Sequence, residues 1–125
     1  MDFNQLYLRG CAQNHRDDVA HALSNGANPL ALTPDGDGAL HLACAFGHHE
    51  LIDGLLRAGV DPNQRNAAGL TPAHEAVAGM HPLCLAALLQ SPSLDLSVGD
   101  SQGLTPEQSA RQALERHQVQ ELGVA

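Results

Sequence analysis

The chain has 125 residues, 43% of them hydrophobic, enough to bury one modest core and too apolar to stay disordered. Fourteen carboxylates against six basic residues, all arginine, give a formal charge of -8, which repels phosphate backbones and anionic membrane surfaces and suits a basic partner. Trp is absent and Phe3, Tyr7 and Phe46 are the only aromatic residues, so packing must come from Ala, Leu, Val and Ile in closely spaced helices.

The first unit spans about residues 1–32. Asp2 is placed to cap a helix, with Gln5 at capping-box spacing, and Leu6, Cys11 and Ala12 supply its inward face. Asn14-His15 turn the chain. A second helix follows from Asp17 to Ser24, with Asp17 and Asp18 in its first turn, where they suit the helix dipole. It buries Val19, Ala22 and Leu23 and stops at Asn25-Gly26. Ala27-Asn28-Pro29 then starts an extended link.

The second unit covers residues 33–65. Gly36 allows a tight turn, and Leu40, Leu42, Ala43 and Cys44 pack from a first helix that Gly38-Ala39 begins. Without a side-chain N-cap or a Pro at N1, that start is weaker by about 1 kcal/mol. Gly47-His48 turn the chain into a helix from Glu50 to Arg57, whose Leu51, Ile52, Leu55 and Leu56 form a buried stripe. The third unit, 66–99, opens on Thr71-Pro72 with His74. Met80 stands at the turn glycine, with Gly79 beside it to serve instead. Pro82 starts its second helix, with Leu83, Leu85, Leu88, Leu89 and Cys84 as the apolar face, and the exit Ser91 to Asp95 is one residue longer and lacks Gly. The last unit, 100–122, begins Gly103-Leu104-Thr105-Pro106. It then turns polar and has no glycine break before Leu122, so one longer or kinked helix is expected. A wet outer face suits a terminal unit.

These units repeat with a period of thirty-three residues: Leu-His, Gly-His, Leu-Leu, Gly-Val-Asp. The chain therefore resembles the ankyrin-repeat family. The resemblance implies an all-α fold in a single domain, 1–125: an ankyrin-repeat solenoid of stacked helix-turn-helix units joined by extended β-hairpin-like loops. It also implies that His41 and His74 bond to loop backbone. His15, His48 and His81 recur at the same period, and folding alone explains all five better than metal ligation does. His21, His49 and His117 read as exposed helix residues.

Enzymatic signatures are missing. His41 with Cys44 is the only thiol–imidazole pair, and Cys44 stands where the next copy has Val77, a buried position that makes an inert thiol. Asp35-Gly36-Asp37-Gly38 lacks the further oxygens of a calcium loop. No catalytic residue, cofactor or metal site is expected. Cys11, Cys44 and Cys84 read as reduced thiols. Neither a signal peptide nor a run of 18 apolar residues is present, so a cytoplasmic monomer is expected, although secretion without a signal stays open.

In this family partners bind a concave face of loop tips and first helices. By position that face would use Gln13, Leu32, Asp35, Asp37, Ala45, Phe46 and Arg65, then Ala68, Leu70, Ala78, Gln102, Leu104 and Gln112. Leu32, Phe46, Leu70 and Leu104 are apolar where water is expected; the bland alternative is that they pack within the stack. The expected function is a non-enzymatic protein–protein interaction module, adaptor or regulator, with a possibly basic protein partner and no nucleic acid or membrane. The alternative is a dedicated inhibitor or immunity protein that neutralises a basic toxin or nuclease.

Overall fold

A computed structural model describes residues 2–121, apart from the side chains of 113, 114 and 116–121. Seven α-helices follow one another: α1 Phe3–Gln13, α2 Arg16–Ser24, α3 Ala39–Ala45, α4 Ile52–Arg57, α5 Pro72–Ala78, α6 Pro82–Leu89 and α7 Pro106–Glu121. A 3-10 turn, His49–Leu51, leads into α4, so the second helix of this unit starts tighter than its sequence indicates. Among the described residues there is no strand.

Helices α1, α3, α5 and α7 pack side by side in that order and form one layer. The second helices lie against it: α2 on α1, α4 on α3, and α6 on both α5 and α4. Small residues make this approach possible. Ala22, Ala39, Ala43, Ala73 and Ala76 are buried, and Tyr7, Leu40, Ile52 and Leu88 fill the space between layers. Ala12, Leu23 and Leu42, read from the sequence as core, are only partly covered.

Each helix end has a local cause. Asp2 accepts hydrogen bonds from the amides of Asn4 and Gln5, capping α1. The first helices of the three leading units end alike: the amides of His15, His48 and His81 donate to carbonyls five residues back, at Gly10, Ala43 and Ala76. That ending needs a left-handed residue just before the histidine, and Asn14, Gly47 and Met80 fill the place with φ of 59°, 77° and 58°. Met80 thus takes the turn itself. Gly79 does not serve as the turn glycine; it sits at φ -83°, and its lack of a side chain makes room for the His81 ring. The second helices α2 and α4 close through Gly26 and Gly59, with Ala27 and Val60 donating back to Ala22 and Leu55. The third exit lacks that glycine. There the chain is held by Asn63, whose side chain donates to the Ser93 carbonyl and accepts from the Asp95 amide.

One expected core face is corrected. On α6 only Cys84 and Leu88 are buried, while Leu83 and Leu89 are 60% and 53% exposed. The last unit is one continuous helix packed on α5, as its glycine-free sequence indicated.

Candidate partner-binding face

The recurrent histidines hold the stack together, and they do so in two directions. His41 Nδ1 accepts from the Gly38 amide of its own unit, so Nε2 carries the proton and donates to the Leu70 carbonyl of the next unit at 2.8 Å. His74 repeats this: Nδ1 accepts from the Thr71 amide, and Nε2 donates to the Leu104 carbonyl at 2.7 Å. The second set reaches backwards. His48 Nε2 donates to the Ala12 carbonyl at 2.8 Å and His81 Nε2 to the Ala45 carbonyl at 3.2 Å, in each case the preceding unit's first helix. His15 lies in the first unit and faces Asp18 at 3.4 Å instead. In the last unit Gln108 stands at the His74 position and its Oε1 accepts from the Thr105 amide, keeping the cap. The bonds are therefore partly local, as expected, and partly between units.

The loops form an edge of three hairpins. Their closing bonds run from Thr33 to the Asp37 carbonyl, Asn66 to Leu70 and Asp100 to Leu104. The Ala67 amide joins two hairpins by donating to the Asp35 carbonyl. Asn66 Oδ1 accepts from Ala68 and Leu70, and Asp100 Oδ1 accepts from Gln102 and Leu104. The bond from the Leu104 amide holds the Asp100 carboxyl below the usual carboxylate range.

This edge gathers several of the expected contact residues. Asp35 is exposed at the first hairpin tip, and Asp37 accepts from Asn66 Nδ2 at 2.8 Å. The same amide donates to Glu75 Oε1 at 3.1 Å, which links two carboxylates through one asparagine. Arg65 is exposed, and its Nε donates to the Gly69 carbonyl at 3.2 Å. Glu75 was not singled out from the sequence, although it could have been, because the preceding repeat has Leu42 at its place. Burial, and then the Asp37 charge, push the Glu75 carboxyl above its ordinary value.

The apolar members divide. Leu32 and Phe46 are 46% and 57% exposed. Phe46 stands apart from the hairpins at the C-cap of α3, stacked on His48 with ring centroids 6.3 Å apart. Leu70 and Leu104 are half-buried, and their carbonyls are taken by His41 and His74. For these two the packing alternative describes the structure better than a wet surface. Gln112 is exposed on α7.

The thiols lie away from this face. Cys11, Cys44 and Cys84 are all buried. Burial pushes the Cys11 thiol up to about 12, and a hydrogen bond with Cys84, followed by burial, holds Cys44 far above the thiol range. All three should resist a soluble disulfide reagent in the native protein and titrate fully in denaturant. Rapid labelling of any one before unfolding would contradict the burial. No cluster of three or more potential metal ligands occurs among the described residues. No helix there is long and apolar enough to cross a membrane.

Stacked helix pairs bound together by repeating histidines, with hairpins along one edge, define a solenoid repeat protein. The chain belongs to the ankyrin-repeat family: the family model "Ankyrin repeats (3 copies)" matches residues 8–100 and 40–116. Similar proteins include Rabankyrin-5 of Mus musculus, 42% identical over 72 residues. The nuclear factor NF-kappa-B p110 subunit of Drosophila melanogaster is 44% identical over 70 residues. The human neurogenic locus notch homolog protein 4 is 37% identical over 101 residues. The matches cover 58%, 54% and 80% of this chain but only 6%, 7% and 5% of those proteins, so the likeness is to their repeat segments. Ankyrin repeats are protein–protein interaction modules.

Proposed function

We propose that the chain is a non-enzymatic interaction module, an adaptor or regulator that captures a protein through its hairpin edge and first-helix layer. Phe46 carries the reading. It is a large aromatic side chain held 57% exposed on a helix end of a chain with only three aromatic residues. Aromatic anchors of this kind dominate binding energy at protein interfaces. Asp35 and Asp37 on the hairpins and Glu75 on α5 lie at the other end of the first-helix layer, and with a net charge of -8 they favour a partner that carries basic residues beside its apolar knob. Leu32 and Arg65 widen the hairpin edge, and Gln112 on α7 extends the first-helix layer.

Affinity capture from native lysate with wild type and Phe46→Glu tests this. The variant should lose the partner by a factor of about 100 or more and keep its thermal midpoint, because Phe46 is outside the buried core. Undiminished capture by a folded Phe46→Glu would refute the assignment. The inhibitor reading is favoured instead if one basic protein is captured tightly with an association rate that falls steeply with salt.

A further inference from the structure

The second helices do not close up alike along the stack. Helix α6 packs on α4, whereas α2 packs on α1 and leaves a groove of about 840 Å³ between itself and α4. The floor of this groove is apolar: Val19 and Leu23 come from α2, Leu51 and Leu55 from α4 and the turn before it. Two small residues deepen it. Ala20 is exposed on one wall and Gly54 on the other. Gly54 lies inside α4, where glycine weakens a helix, and a Cβ there would meet nothing within 4 Å. The neighbouring units have His21 and Ala87 at that place. Packing does not call for glycine here; its effect is to keep the groove open. This surface belongs to the second-helix layer, which the hairpin edge does not include.

We propose that this groove binds a basic amphipathic helix of a protein partner, with its apolar face on the floor and its lysine or arginine side chains on the rim. The walls exclude an extended segment as the occupant. They are helices, whose backbone groups are bonded internally, so they offer no edge for strand pairing. A helix laid between two helices needs side-chain contacts alone. Charge sets the sign of the occupant. Asp17, Asp18 and Glu50 stand on the rim against Arg16. Among the described residues none of these carboxylates pairs with an arginine; Asp18 and Glu50 face His15 and His49, each at 3.4 Å. The buried Oδ1 of Asn14, in the turn that borders the groove, has no hydrogen-bond donor among them either. The groove thus presents acceptors without a permanent cation, and an occupant rich in cationic N–H donors complements them. A second copy of this chain, at a net charge of -8, does not.

The test is a calorimetric titration of the purified chain with a synthetic amphipathic helix of leucine and lysine, set against its leucine–glutamate counterpart. In about 0.15 M salt, where distant charges are screened, wild type should bind the lysine peptide and not the glutamate one. Gly54→Leu should fill the groove and weaken binding by roughly tenfold or more. Its thermal midpoint should nevertheless rise, because leucine is the better helix former at an open position. Asp17→Lys and Asp35→Lys change the net charge equally, but the first stands on the rim and the second at the first hairpin tip. Asp17→Lys should weaken binding by roughly tenfold, while Asp35→Lys should bind as wild type does. Equal weakening by the two lysine variants would reduce the effect to net charge and overturn the proposal. So would undiminished binding by Gly54→Leu, capture of the glutamate peptide, or no binding of the lysine peptide. A wild-type dimer that Gly54→Leu dissociates would overturn it too, by placing a second copy in the groove.

Discussion

Replacing His74 with leucine should cost about 2–4 kcal/mol of folding stability, since it leaves the buried Thr71 amide and the Leu104 carbonyl without their partner. His74 is 2% exposed, so water cannot take over those bonds without opening the junction between the third and fourth units. Leucine fills a similar volume and isolates the loss of hydrogen bonding from a cavity effect. His41→Leu should behave alike at the junction before it, where the Gly38 amide and the Leu70 carbonyl are left unpaired. His15→Leu, at an exposed histidine that reaches no other unit, should change stability by less than about 0.5 kcal/mol. Urea unfolding of the three variants gives the comparison. A cost below 1 kcal/mol for both buried histidines would mean that the inter-unit bonds contribute little. In a linear stack each junction adds its own increment, so the two losses should combine nearly additively.

Most of the fold was legible because it repeats. Period, turn residues and apolar spacing placed the helices to within a few residues. The same comparison, carried one step further, would have found Glu75 opposite Leu42 and Leu83 opposite Glu50. What could not be read was direction. His41 and His48 look equivalent as recurrent histidines, but one ring donates forward to Leu70 and the other backward to Ala12. Only the handedness of the stack decides this. Leu70 and Leu104 looked like exposed anchors because the position is wet in a single hairpin, and it is half-covered once hairpins line up. The rule that glycine takes the left-handed place favours Gly79, yet Met80 takes it. The His81 ring already occupies the space beside Gly79, so a side chain fits at Met80 and not there. Contact-face residues on a repeat protein are set by the partner rather than by folding, which is why the repeat pattern locates Phe46 as an exception without saying what it touches.

The hairpin glycines allow the contact between units to be measured apart from backbone strain. Gly69 has φ +81°, and a Cβ there would lie 2.8 Å from the Ser101 backbone nitrogen and 3.0 Å from Arg65 Nη2. Gly103, the equivalent residue one unit on, has φ +78° and nothing within 4 Å of the same atom. Gly103→Ala should therefore cost only the left-handed penalty, about 1 kcal/mol. Gly69→Ala pays that and must also push the third hairpin, Asp100 to Leu104, away, for a total of about 2–4 kcal/mol. Backbone cannot swing aside as a side-chain end can, so relaxation at Ser101 draws on the closing bond from the Asp100 amide to the Leu104 carbonyl and on the His74 bond to that carbonyl. Chemical denaturation of the two alanine variants yields the difference. A Gly69→Ala loss no larger than that of Gly103→Ala would show that the hairpins are free to separate. The predicted excess would place the coupling between units in the hairpin edge as well as in the histidines.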